Sequence, residues 1–399
     1  MTWPIVTCGA DRLLGEERFL ALVRGKRVGV VVNQTAVMSG DYSFWPARLK
    51  ELTGAVLEVV FSPEHGLWGA EQDQVPCTGD NDTSLGAPVV SLYGADPGSL
   101  KPDSELLSRL DLVLFDIQDV GSRYYTYIYT MAYVMEAAAA AGVEFAVLDR
   151  ANPLGGERCE GPVLGEGFES FVGRFAGVPV RHGMTAGELA LYFCSMHSVG
   201  ATPTVVPVTG WKRSLTAFDY SAPWVGPSPN MPTPDTALVY PGMCLLEGTN
   251  LSEGRGTTRP FETFGAPYLD AFALAGELNA MGLPGVIFRP LRFIPFFSKH
   301  SGALCSGAHI HVTDRHAFCP VLTGAAVIYI SHLLAPAHFA WLEGGYEFVT
   351  DIPAIDLLWG GDSFRILIEA GAAFDEIRTE TGRGMKQWML EREGFLLYQ

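Results

Sequence analysis

A chain of 399 residues, 48% hydrophobic and 18% charged, is long enough to bury a large core and to divide into two domains. Its net charge of −17 argues against nucleic acid or an anionic membrane surface as a partner. Seven scattered cysteines without a CxxC spacing exclude a zinc knuckle and point to reduced thiols rather than a disulfide framework.

No stretch approaches the ~18 apolar residues of a membrane span. The start of the chain has neither a basic n-region nor a long apolar h-region, so the expected location is cytoplasmic. Export, with a signal absent from this sequence, is the alternative. The composition carries no signal for oligomeric state.

In chain order, Arg27 to Asn33 reads as a first buried strand, followed by a helix over 44–53. Val56 to Phe61 is rich in β-branched and aromatic residues and reads as a second buried strand. It stops at Ser62-Pro63, because proline cannot continue a central strand. Glu64 and His65 come next, held between that proline and Gly66, at the edge where open α/β sheets receive ligands. A Gly/Asp-rich loop (70–87) leads to a short strand over Val89 to Leu92. Leu112 to Phe115 is a strand ending in Asp116, Gln118 and Asp119. A helix over 125–141 closes at Gly142, and the strand Phe145 to Leu148 ends in Asp149, Arg150 and Asn152. Strand and helix alternate and the strands are uniformly apolar, which predicts a parallel sheet with helices on both faces. Four strands end in a polar group (Asn33, Glu64, Asp116 and Asp149), and these groups are expected to converge on one crevice. No GxGxxG follows the first strand, so the fold is Rossmann-like without support for a dinucleotide.

Residues 155–183 read as glycine-rich and irregular. Thr185 and Glu188 match a capping box for the helix that follows, which accounts for Glu188 without chemistry. The stretch 220–236 holds five prolines and is the expected junction, placing 1–232 in the sheet domain and 233–399 in a smaller mixed α+β domain. Beyond the junction, a polar glycine-rich loop carries Glu247, Asn250, Glu253 and Arg255. Helical stretches near 268–281, 320–334 and 384–393 alternate with strand-like runs at 285–297 and 308–313.

Glu64 is the foremost candidate for chemistry, since perturbed carboxylates collect in such crevices. Asp116, Asp119 and Glu247 are further acids. Arg123 and Tyr124 offer a cation among aromatics, where Tyr127 has an ordinary packing role. His309 and His311 share one strand face, but two ligands do not make a metal site, and no metal is expected. No GxSxG elbow or Walker loop is present, and no cofactor is expected. Paired carboxylates without a cofactor motif suit glycosidic cleavage, one protonating the leaving oxygen and the other serving the oxocarbenium-like centre.

The blocks around Glu64-His65-Gly, Asp116 to Tyr127, Asp149 to Gly156, His182-Gly-Met-Thr, Asn230-Met-Pro-Thr and Glu247 to Glu262 resemble the exo-acting β-N-acetylmuramidases, over about residues 10–399. The resemblance implies an active-site cleft between a Rossmann-like domain and a smaller C-terminal domain. It also implies release of N-acetylmuramic acid from the non-reducing end of peptidoglycan fragments. The family's catalytic glutamate falls on Glu64. The matched blocks add His182 and Asn230 to the binding candidates His65, Gln118, Asp119, Arg123, Tyr124, Arg150, Asn152, Asn250, Glu253 and Arg255. Arg123 and Arg255 are the expected readers of the lactyl carboxylate that distinguishes muramic acid from N-acetylglucosamine. A non-catalytic muropeptide-binding protein, or a glycosidase for another amino sugar, stays open as an alternative.

Overall fold

The computed structural model describes residues 4–77, 85–222 and 224–399. Part of the Gly/Asp-rich loop, 78–84, lies outside the described residues, as does Pro223 in the proline-rich stretch.

The first half is built on strands β1 (Arg27–Val32), β2 (Val56–Ser62), β3 (Val89–Ser91), β4 (Leu112–Asp116) and β5 (Glu144–Leu148). After a small antiparallel pair, β6 (Glu160–Val163) and β7 (Pro179–Arg181), comes β8 (Thr204–Val206). Six of these strands form one parallel sheet in the order β3-β2-β1-β4-β5-β8. Strand order reverses between β1 and β4, the switch point at which doubly wound sheets open a crevice. Side chains alternate across the sheet. Val28, Val30 and Val32 join one core with Trp45 and the N-terminal helix residues Ala10 and Leu13. Val31, Phe61, Phe115 and Val147 face a second, larger core on the other side. Both faces are covered, which is why these strands are apolar throughout.

The larger core takes in the helix Tyr127–Ala140 and the helix Ala186–His197. The capping box of the latter is present: Thr185 N–H donates to Glu188 at 3.0 Å and Glu188 N–H to Thr185 Oγ1 at 3.3 Å. The 155–183 segment, which reads as irregular, contains the β6–β7 pair. Its strands are four and three residues long and held by distant partners, so neither shows a period in sequence. Arg123 is the chief of those partners, donating to the carbonyls of Pro162 and Val178 at 2.8 Å each.

The second half has a three-stranded antiparallel sheet ordered β10-β11-β9, from β9 (Thr263–Ala266), β10 (Val286–Phe293) and β11 (Cys305–Val312). The helix Pro234–Met243 crosses the helix Pro320–Leu334 at Gly242 and Gly324. A Cβ on either glycine would meet backbone of the opposite helix, so this crossing admits only the smallest residue. The end of the chain returns to the sheet domain: Arg213 N–H donates to the Gln399 carbonyl at 2.8 Å and Tyr398 bonds to Asp149. No described helix is long and apolar enough to cross a membrane.

Candidate active site

Where the two halves meet, a cavity of about 480 Å³ is lined from both. The loop after β2 contributes Glu64, His65 and Asp73, and the stretch leading into the helix Tyr127–Ala140 contributes Tyr124 to Tyr127. Ser228 and Asn230 come from the proline-rich stretch, while Glu247, Arg255, Tyr346 and Glu347 come from the second half.

Glu64 is buried directly past the end of β2. Gln74 N–H donates to its Oε1 at 3.1 Å, and the Thr126 hydroxyl to its Oε2 at 2.8 Å. His65 has φ 73°, and its Nδ1 lies 2.9 Å from the Glu71 carbonyl.

Glu347 faces the same cavity and has no counterpart among the residues singled out in the sequence. Tyr346 and Val349 exchange backbone bonds of 2.8 and 3.0 Å, which leaves Glu347 and Phe348 as the tip of a two-residue turn. Both have positive φ, 46° and 68°, as a type I′ turn requires. The Tyr93 hydroxyl donates to Glu347 at 3.2 Å. Burial, and then the charge of Glu64, hold the Glu347 carboxyl well above the usual carboxylate range. Burial, and then both glutamates, push the Tyr93 phenol far up as well. The cavity thus holds two carboxyl groups in different surroundings, Glu64 supplied with two donors and Glu347 raised by burial and by its neighbour, an arrangement that suits general acid catalysis.

Arg255 is the cation among the lining residues. It meets Glu247 at 2.7 Å, Asp73 at 3.0 Å and Glu253 at 3.3 Å, and its guanidinium lies 5.0 Å from the Phe261 ring centroid. Burial alone would lower its pKa, but Glu247, Asp73 and Glu253 raise it well above the ordinary value. Glu247 is also held by the Tyr346 hydroxyl at 2.6 Å, and Glu253 by Lys299 at 2.9 Å.

His65, Gln74, Phe261, Glu347 and Phe348 have positive φ without being glycine, and all five sit at or beside this cavity. Such conformations cost on the order of 1–3 kcal/mol each, and they persist where surrounding structure fixes the direction of a side chain.

Of the sequence candidates, Glu64, His65, Tyr124, Asn230, Glu247 and Arg255 line the cavity, with Glu253 behind Arg255. The others face elsewhere. Asp116 is buried against Arg150 and accepts from Trp45 Nε1 at 2.5 Å. The expected convergence of four strand-end groups therefore reduces to Glu64 alone. Asn33 donates to the Pro227 carbonyl at 3.2 Å, and Asp149 accepts from Thr185 at 2.7 Å and Gly187 N–H at 2.8 Å. Gln118 donates to the Asp119 and Ala151 carbonyls, at 2.7 and 3.1 Å. Asp119 caps Gly121 N–H at 2.6 Å and lies 3.4 Å from His182. Asn152 bonds Met184 and Leu154, and Asn250 ties down His338 and Ala340. The Arg123 guanidinium does not line the cavity; besides its two β6–β7 carbonyls it donates to the Leu358 carbonyl at 2.7 Å. The His309 and His311 rings meet edge to face with centroids 4.5 Å apart, and no group of three His, Cys, Asp or Glu among the described residues is placed to hold a metal.

Two family models, the N-terminal and C-terminal parts of exo-β-N-acetylmuramidase NamZ, match residues 28–235 and 238–398. The chain belongs to the NamZ family. It is 44% identical over 395 residues to the peptidoglycan β-N-acetylmuramidase NamZ of Bacillus subtilis (strain 168), covering 99% of this chain and 92% of that protein. Two crystal structures of DUF1343 family proteins from Bacteroides fragilis share its architecture, each over 99% of both chains. Their TM-scores are 0.86 and 0.74, at 32% and 28% identity. The NamZ fold is thus a Rossmann-like α/β domain followed by a smaller part with an antiparallel sheet, and both parts supply walls of the cavity.

Proposed function

We propose that this chain is an exo-acting glycosidase that removes N-acetylmuramic acid from the non-reducing end of peptidoglycan fragments. Glu347 acts as proton donor and Glu64 as the carboxylate facing the anomeric carbon. The observation that supports it is the meeting of these two carboxyl groups, from the two halves of the chain, around Tyr93 in one cavity. In the reaction the bond between the anomeric carbon and the bridging oxygen breaks. The proton of Glu347 goes to that oxygen, a water supplies hydroxyl to the anomeric carbon, and the proton of that water restores the acid. Glu64 balances the positive charge that builds on the ring as the bond lengthens. Tyr93 positions Glu347, and Gln74 with Thr126 position Glu64.

The test is release of a chromophore from an aryl β-N-acetylmuraminide by the wild-type chain, with the matching glucosaminide as the control. Turnover of the muraminide is expected, with much slower turnover of the glucosaminide. Binding of muropeptide without turnover would instead indicate a non-catalytic sugar-binding protein.

A further inference from the structure

The cavity at Glu64 does not end at Glu347. Glu347 also lines a second concavity of about 560 Å³, bordered among others by Gln74, Tyr93, Ala95, Phe348 and Thr350. Glu347, at the tip of its turn, is thus shared by both spaces. Phe348, the next residue of that turn, lines only the second space, where it packs on Tyr93 with ring centroids 5.8 Å apart.

We propose that this groove seats the leaving sugar, the residue on the reducing side of the bond that is cut. The inference rests on the functional reading above. A proton donor must reach the bridging oxygen, and that atom belongs to both sugars at once. The two rings must therefore lie on opposite sides of the donor, and the cavity and the groove meet at Glu347. The lining suits a neutral hexosamine. Tyr93 and Phe348 offer aromatic surface to the apolar face of a sugar ring, while Gln74 and Thr350 offer an amide and a hydroxyl to its edge. Among the described residues no lysine or arginine lines the groove, so nothing described there calls for an anionic ligand. Gln74 links the two spaces: its backbone N–H holds Glu64 while its residue borders the groove. A leaving sugar bound there would bear on the alignment of both carboxyl groups, which is how binding of a non-reacting part raises turnover.

The test fills the groove and compares two leaving groups. Ala95 and Thr350 are both exposed and hold neither glutamate, so Ala95→Trp and Thr350→Trp leave the cavity intact. One substrate is the disaccharide of N-acetylmuramic acid and N-acetylglucosamine; the other is β-N-acetylmuraminyl fluoride, whose leaving group is a single atom. The expected result is a fall of about tenfold or more in kcat/KM for the disaccharide, with the fluoride nearly unchanged. Unchanged disaccharide turnover in both folded variants would overturn the groove assignment alone, as would an equal fall for both substrates. If the wild type cleaves neither substrate, the functional reading itself fails and takes this inference with it.

Discussion

Glu347 accepts the hydroxyl of Tyr93 at 3.2 Å from a position 254 residues further along the chain. Through that ring, an acid from the C-terminal half is fixed in the cavity that holds Glu64. Replacing either glutamate by glutamine keeps its size and some of its hydrogen bonding but removes the carboxyl group. Each of Glu64→Gln and Glu347→Gln should keep the fold and lose about 10²–10⁴-fold in kcat on the disaccharide. Near-wild-type turnover in either variant, measured with purified folded protein, removes that residue from the mechanism.

The role of Glu347 should also show in the pH profile. Glu347 must carry its proton to act, so kcat/KM falls as pH rises through its pKa. Burial and Glu64 hold that pKa above the ordinary range, so the alkaline limb should lie well above the usual titration of a glutamate. In Glu347→Gln the alkaline limb should disappear. Its remaining activity should favour the fluoride, which needs little protonation to leave. A profile of the same shape in wild type and Glu347→Gln would assign the limb to another group.

Much of the sheet domain was legible because its signals are local. The run Val56 to Phe61, closed by Pro63, announces a strand, and Glu64 follows from where that strand has to stop. Glu347 was not legible. A tight turn of its type normally advertises itself as Asn-Gly or Asp-Gly, whereas here the tip is Glu347-Phe348 and its conformation is imposed by surrounding structure. Asp116 shows the reverse: its place at a strand end looks like that of Glu64, yet only the fold reveals Arg150 and Trp45 closing over it. Arg123 misleads for a similar reason. An arginine beside tyrosines reads as a sugar contact until the β6–β7 carbonyls, more than thirty residues away, are seen to receive it.

Asp149 offers a stability measurement remote from the cavity. Burial pushes its carboxyl up from an ordinary 3.8 to about 7, although Tyr398, Gly187 and Thr185 all bond to it. A folded pKa above the unfolded one means that the folded state holds the proton more tightly. The contribution is fully present below 3.8 and is lost as pH rises through about 7. In Asp149→Asn that loss is absent, and the hydroxyls of Thr185 and Tyr398 can turn to accept from the new amide. The Tm difference between variant and wild type should therefore shift in favour of the variant as pH rises across that window. A pH-independent difference would show that Asp149 stays ionised throughout.

The two arginines expected to read the lactyl carboxylate now part company. Arg123→Ala strips the carbonyls of Pro162, Val178 and Leu358 of their donor, and a buried polar group left unpaired costs about 1–3 kcal/mol. It should lower Tm and leave the ratio of muraminide to glucosaminide turnover unchanged in the protein that remains folded. Arg255 lines the cavity, but Asp73, Glu247 and Glu253 already occupy it. For a substrate carboxylate to bind, one of them has to yield. Side-chain exposure is 30% for Asp73, against 10% for Glu247 and 2% for Glu253, so Asp73 gives way at the least desolvation cost. Losing a charge-assisted bond to a buried anion costs about 1.5–3 kcal/mol. Arg255→Ala should accordingly lose roughly one to two decades of kcat/KM on the muraminide and little on the glucosaminide. Asp73→Asn should do the opposite, lowering KM for the muraminide alone, because it frees the guanidinium without removing it. If Asp73→Asn raises KM for both sugars, Asp73 grips a group the two share, and the lactyl carboxylate is read by other donors.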